Sequence, residues 1–311
     1  MRRAVPGSLI SVGSHRLHIH RAGNGRPAVV FEAGLAGCYA HWTMVQERMA
    51  RSTTTCSYDR AGLGWSDAAP GPRTADQIAY ELRMLLENAG IPSPRVMVGH
   101  SFGALPLRVY AAMFPSEVGG LVLLDPLEPD EWVPTTIEKR RTIEKGLRLC
   151  GLGVFSARIG VAHLVAGLAG RELFPFARFV VSLASRGGFT RTDEHILAPF
   201  TRCPPDVGLA QRAIWTQPKC FRALGEEIRS IPVSAAQAAR AEIPRGLQLI
   251  VVSAGDARPL RLDARARLVS QFDHGCHTIA SGSSHWIQLD QPALVVDTVL
   301  DLVAAAAFTR A

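Results

Sequence analysis

No Cys-x-x-Cys pair occurs in the 311 residues: Cys38, Cys56, Cys150, Cys203, Cys220 and Cys276 stand far apart. That spacing offers neither the ligand pairs of a zinc site nor a dithiol redox motif, so no metal and no cofactor are implied. In a chain of this length such thiols are expected to be buried. A dense basic run is missing too. The formal net charge of +7 comes from scattered arginines, which excludes a nucleic-acid arm and leaves solubility and mild attraction to anionic surfaces. No apolar segment follows the two arginines of "MRRAVPGSLI", so a secretory signal is not expected and the cytoplasm is the default location. The apolar stretch "LVVDTVLDLVAAAAF" is interrupted by Asp297 and Asp301 at a spacing that makes one wet helix face, which argues against a membrane span. There is no internal repeat.

What is present suffices for a large core, since 47% of the residues are hydrophobic. Such a chain fits one big α/β domain or a domain with an insertion, and disorder is not expected. "SLISVG" and the alternating "RLHIHRA" predict an antiparallel pair of edge strands turned at Gly13-Ser14, with Leu17 and Ile19 on one face and His18 and His20 on the other. "AVVFEAG", "TTTCSYD", "RVMVGHS" and "GLVLLDP" are short apolar runs of the kind buried in parallel sheets. Between them, "TADQIAYELRMLLENAG" is the clearest helix: Thr74 and Gln77 suggest a capping box, Ile78, Leu82, Leu85 and Leu86 form a stripe, and Gly90 suits a C-terminal cap. The alternation implies a doubly wound, mostly parallel sheet.

After Pro126 the rhythm stops. Residues 127–244 contain helix-like, apolar, arginine-studded segments and no convincing strand, and they read as a helical insertion between core segments 1–126 and 245–311. "LQLIVVSAG", "RLDARARLVSQF", "HTIASG" and a final helix from Gln291 resume the βα pattern.

The chemistry centres on "VMVGHSFGALPLRVYAAMFP", where a strand, Gly-His-Ser-Phe-Gly and a helix follow one another. A serine on such a sharp turn is held in a strained conformation that lifts its hydroxyl clear of the sheet, and Gly99 and Gly103 must be small for strand and helix to pass. The helix amino terminus turns N–H groups toward any oxyanion formed there. Ser101 is therefore the candidate nucleophile, and it needs a base. "SGSSHWIQLDQP" contains one in His285. His15, His18, His20, His163, His195, His274 and His277 read as surface or packing histidines. Asp59 and Arg60 read as a buried ion pair that fixes the loop before Gly62 and Gly64, with no chemistry assigned.

These segments resemble the α/β-hydrolase superfamily along nearly the whole chain, most of all the branch with a "YDRAGLGWSD" segment, which stands here at residues 58 to 67. The resemblance implies a helical cap over the strand ends at residues 127–244. It places the catalytic histidine between the last strand and the last helix, at His285, and the oxyanion hole at the backbone N–H groups of Phe102 and Leu35, although Ala33-Gly34 replaces the His-Gly of many relatives. It leaves two candidates for the acid. Asp125 in "LLDPLEP" is favoured; Asp256 in "AGDARP" is the alternative, two residues earlier than the usual Gly-x-x-Asp turn.

Dehalogenases and epoxide hydrolases of this fold attack with a carboxylate, and Ser101 argues against both. Serine with histidine favours acyl transfer to water without a cofactor, on a small or medium hydrophobic ester. Trp132, Phe155, Phe174, Phe176, Phe179 and Trp215 give the cap apolar content, most of it expected to pack the cap onto the core. C–C bond hydrolysis, lactone hydrolysis, perhydrolysis and slow-turnover ligand binding use the same residues. Chain-length preference and oligomeric state are left open.

Overall fold

The computed structural model describes residues 6–168 and 215–308; Phe174, Phe176, Phe179, His195 and Cys203 lie outside them. Eight strands form one sheet: β1 (Ser8–Ser11), β2 (Arg16–Ala22), β3 (Val29–Glu32), β4 (Thr55–Tyr58), β5 (Arg95–His100), β6 (Val118–Leu124), β7 (Leu249–Ala254) and β8 (Gly275–Ala280). Their spatial order is β1-β2-β4-β3-β5-β6-β7-β8. β1 pairs antiparallel with β2, and β2 antiparallel with β4. All other pairings are parallel. β2 is therefore an inner strand, not an edge: its far side is taken by β4, and His18, read as a surface or packing histidine, is buried.

The two-residue period of the central strands explains how the sheet is covered on both sides. Phe31, Val98, Val122 and Val252 face α1 (Thr43–Met49) and the last helix, α9 (Pro292–Phe308), where Val45, Val295 and Val299 complete one core. Their neighbours Val30, Met97, Leu121 and Val251 face α2 (Ala75–Asn88) and α3 (Ala104–Met113) in a second core with Leu82, Leu85 and Tyr110. Gly90, with φ 65°, closes α2 as expected: its N–H donates to the Glu87 carbonyl and that of Ile91 to Leu86, a pattern that requires a left-handed residue. The capping box does not form. Thr74 precedes α2 without a side-chain cap; Asp76 accepts from the Thr74 hydroxyl and, at 2.8 Å, from the Gln77 N–H. An acid already in the first turn takes the Gln77 N–H, the donor that the Thr74 hydroxyl serves in a capping box.

Between β6 and β7 the described residues contain no strand: after a 3-10 turn at Pro129–Glu131 come α4 (Ile137–Arg158), α5 (Val161–Leu168) and α6 (Pro218–Ala239). α6 packs on α4, α3 and α2. Trp132 is buried, whereas Phe155, expected among the packing aromatics, is 61% exposed. α7 (Pro259–Val269) joins β7 to β8, and the short α8 (Ile287–Asp290) precedes α9. No described helix is long and apolar enough to cross a membrane.

Candidate active site

Ser101 follows the last residue of β5 and has φ 52°, a left-handed conformation uncommon for a residue with a side chain. Steric need for glycine surrounds it. A Cβ on Gly103 would lie 2.7 Å from the Ala33 carbonyl oxygen and 2.8 Å from that of Glu32, and one on Gly99 would lie 2.9 Å from Leu107 Cδ1. Across the sheet edge, a Cβ on Gly34 would approach Ser101 Cβ to 3.3 Å and His100 Nδ1 to 2.9 Å. β3 is parallel to β5 with Glu32 opposite Gly99, so the loop after β3 lies directly against the serine turn. Gly103→Val is therefore expected to destabilise the protein by about 1–3 kcal/mol through overpacking, read as a lower urea midpoint. Gly151→Ala, in α4 with open space around the added methyl, is expected to be neutral or to stabilise by about 0.5–1 kcal/mol.

Asp125 directly follows β6, the neighbour of β5, and also has positive φ, 39°. His285 donates from Nδ1 to Asp125 Oδ2 at 2.6 Å; an ionised carboxylate only accepts, so Nδ1 carries the proton of the neutral ring and Nε2 is its acceptor nitrogen. The other carboxylate oxygen, Oδ1, accepts from Arg265 Nη1 at 2.6 Å and from the Ala254 N–H at 3.1 Å. Burial alone would raise the Asp125 carboxyl, but the hydrogen bond and charge of His285, the Arg265 charge and the Ala254 amide outweigh it and hold it well below the usual carboxylate range. Asp256 sits exposed in the turn after β7.

The loop bearing His285 is clasped from two sides. Asp290 Oδ2 accepts from the Ser284 N–H at 2.8 Å and its hydroxyl at 2.6 Å, and Gly255 N–H donates to the Ser283 carbonyl at 3.0 Å. His100, chain neighbour of Ser101, donates from Nε2 to the His285 carbonyl at 2.8 Å, and the two rings lie 4.6 Å apart. Burial, then the neighbouring His285, hold His100 well below the ordinary histidine range. Its ring is thus a neutral spacer between the serine turn and the histidine loop.

Asp59 and Arg60 are both buried but do not pair with each other. Asp59 accepts from His18 Nδ1 at 2.9 Å and from the amides of Tyr39 and Trp65 at 2.8 and 3.0 Å. Arg60 turns the other way, to Glu32 and to Glu227 of α6. Successive residues project to opposite sides of an extended chain, and each finds its own partners there. Sequence reasoning also passed over Arg265, Glu227 and His100. The first two carried a helical signal: Arg265 lies three and four residues before the buried Leu268 and Val269, and Glu227 four residues from Ala223 and Ile231, which puts each charge on the inward face. His100 lies inside the serine motif, where the glycines, the serine and Phe102 carry assigned roles and the histidine none.

Residues 27–148 match the family model described as the alpha/beta hydrolase fold. The uncharacterized protein YqjL of Bacillus subtilis is 34% identical over 127 residues, covering 40% of this chain and 50% of that protein. The chain thus spans about half the length of that curated relative. Among solved structures, a putative epoxide hydrolase from Pseudomonas aeruginosa superposes with a TM-score of 0.68 at 16% identity, covering 99% of this chain and 98% of that one. A thermophilic esterase from Thermogutta terrifontis superposes with a TM-score of 0.63 at 15% identity, covering 97% and 99%. At such identities the likeness shows the fold.

Proposed function

We propose that this chain, which has the alpha/beta hydrolase fold, is a serine hydrolase that cleaves small or medium hydrophobic carboxylic esters through an acyl-enzyme. The observation that carries the reading is the pairing of His285 Nδ1 with Asp125 at 2.6 Å, with His100, the chain neighbour of a serine held at positive φ, bonded to the His285 carbonyl. In this scheme His285 Nε2 takes the Ser101 proton as Oγ attacks the ester carbonyl, and Asp125 stabilises the imidazolium. The tetrahedral oxyanion is received by the N–H groups of Phe102 and Leu35. Collapse expels the alcohol, which collects the proton from His285; water activated by the same ring then releases the acid. The described helices between β6 and β7 serve in this scheme as a cap over the strand ends, where open α/β sheets bind ligands. With Ser101 in place of a carboxylate nucleophile, the alkyl-ester route of epoxide hydrolases is closed.

The test is covalent. A fluorophosphonate probe is expected to label the purified protein once per chain, with the modified peptide containing Ser101. Labelling of another residue, or none at all under conditions where a control serine esterase reacts fully, would sink the assignment.

A further inference from the structure

Arg60 has five N–H donors and all five are used. Nε donates to Glu227 Oε1 at 2.6 Å and Nη2 to Glu227 Oε2 at 3.1 Å. Nη1 donates to Glu32 Oε1 at 2.5 Å and to the Ala33 carbonyl at 2.6 Å, and Nη2 to the Gly34 carbonyl at 2.7 Å. Arg60, Glu32 and Glu227 are all buried, and the Tyr58 hydroxyl also donates to Glu32. Glu227 Oε2 accepts in addition from the Ala36 N–H at 3.2 Å. One guanidinium therefore ties the end of β3 and the loop after it to α6, a helix nearly two hundred residues away in sequence.

A trans peptide unit is planar, with its C=O and N–H pointing in opposite directions. Holding the Gly34 carbonyl therefore also fixes the direction of the Leu35 N–H, and holding the Ala33 carbonyl fixes the unit before it. Gly34 is the residue that lies against Ser101 Cβ. Resting on the serine-hydrolase reading above, we propose that Arg60 is a positioning residue for the oxyanion hole: it aims the Leu35 amide by gripping the two preceding carbonyls, while Glu227 of α6 grips Arg60 and the Ala36 amide. α6 is thereby part of the catalytic frame as well as of the wall above the core. A lysine cannot replace the arginine, since three donors on one nitrogen do not reproduce a planar five-donor fork.

Arg60→Lys and Glu227→Gln test this, the second keeping volume and an acceptor oxygen. With a p-nitrophenyl ester, kcat is expected to fall about 10- to 1000-fold in Arg60→Lys, up to the loss of one oxyanion donor, and less in Glu227→Gln, with KM changing little. Affinity for a trifluoromethyl ketone, which forms a tetrahedral oxyanion on the serine, is expected to fall in parallel with kcat. Unchanged kcat and ketone affinity in a folded variant would overturn the proposal, even if Tm dropped. So would a fall in kcat with ketone affinity unchanged. If Arg60→Lys does not fold, Glu227→Gln decides by the same two readings. Failure of the wild-type protein to react with fluorophosphonate is a different result and would overturn the serine-hydrolase reading itself.

Discussion

Ser101→Ala is expected to lower kcat for a p-nitrophenyl ester by about a millionfold, the scale on which removal of a serine nucleophile acts elsewhere. The change removes one oxygen from a half-buried side chain and leaves the backbone turn, with its glycines at 34, 99 and 103, as it was. Circular dichroism and the unfolding midpoint should therefore match the parent. Some hydrolysis is expected to persist above the rate in water, because oxyanion donors and binding alone retain about 10³- to 10⁴-fold catalysis. A variant within tenfold of the parent would show that the reacting oxygen belongs to another group.

The second large effect separates the two acids. Asp125→Asn is expected to lower kcat by about 10⁴-fold while leaving the fold intact, and Asp256→Asn to change it less than twofold. The direction of the first follows from hydrogen-bond polarity. One oxygen of Asp125 faces two donors, Arg265 Nη1 and the Ala254 N–H, so an asparagine must place its carbonyl there. Its NH₂ then faces His285 Nδ1. Two donors cannot bond, and the imidazole has to put its proton on Nε2, where it can no longer accept one from serine. Arg265, 0% exposed and held also by Glu128 and the Pro126 carbonyl, prevents the amide from turning to escape this. A large loss in Asp256→Asn with none in Asp125→Asn would reverse the assignment.

Much of the fold was legible because its signals are local. The buried parallel strands, α2 with its glycine cap, and the strand-turn-helix around Ser101 each follow from a dozen or so residues whose periodicity or steric demand leaves little choice. Ser101 could be singled out for the same reason: only small residues permit that turn. His285 needed the resemblance, because an isolated histidine in a loop carries no local signature. The capping box failed at the same scale, where Asp76 took both the Thr74 hydroxyl and the Gln77 N–H that a capping box joins to each other.

What the sequence alone determined, then, is the set of elements and the residue that must stand at the bend. Tertiary structure decided the partners: β2 inside the sheet rather than at its edge, Asp125 rather than Asp256 beside His285, and Arg60 on Glu32 and Glu227 rather than on Asp59. The physical reason is that hydrogen bonds and ion pairs act over about 3 Å. Which groups come that close depends on strand order and helix facing, and these bring together residues more than a hundred positions apart.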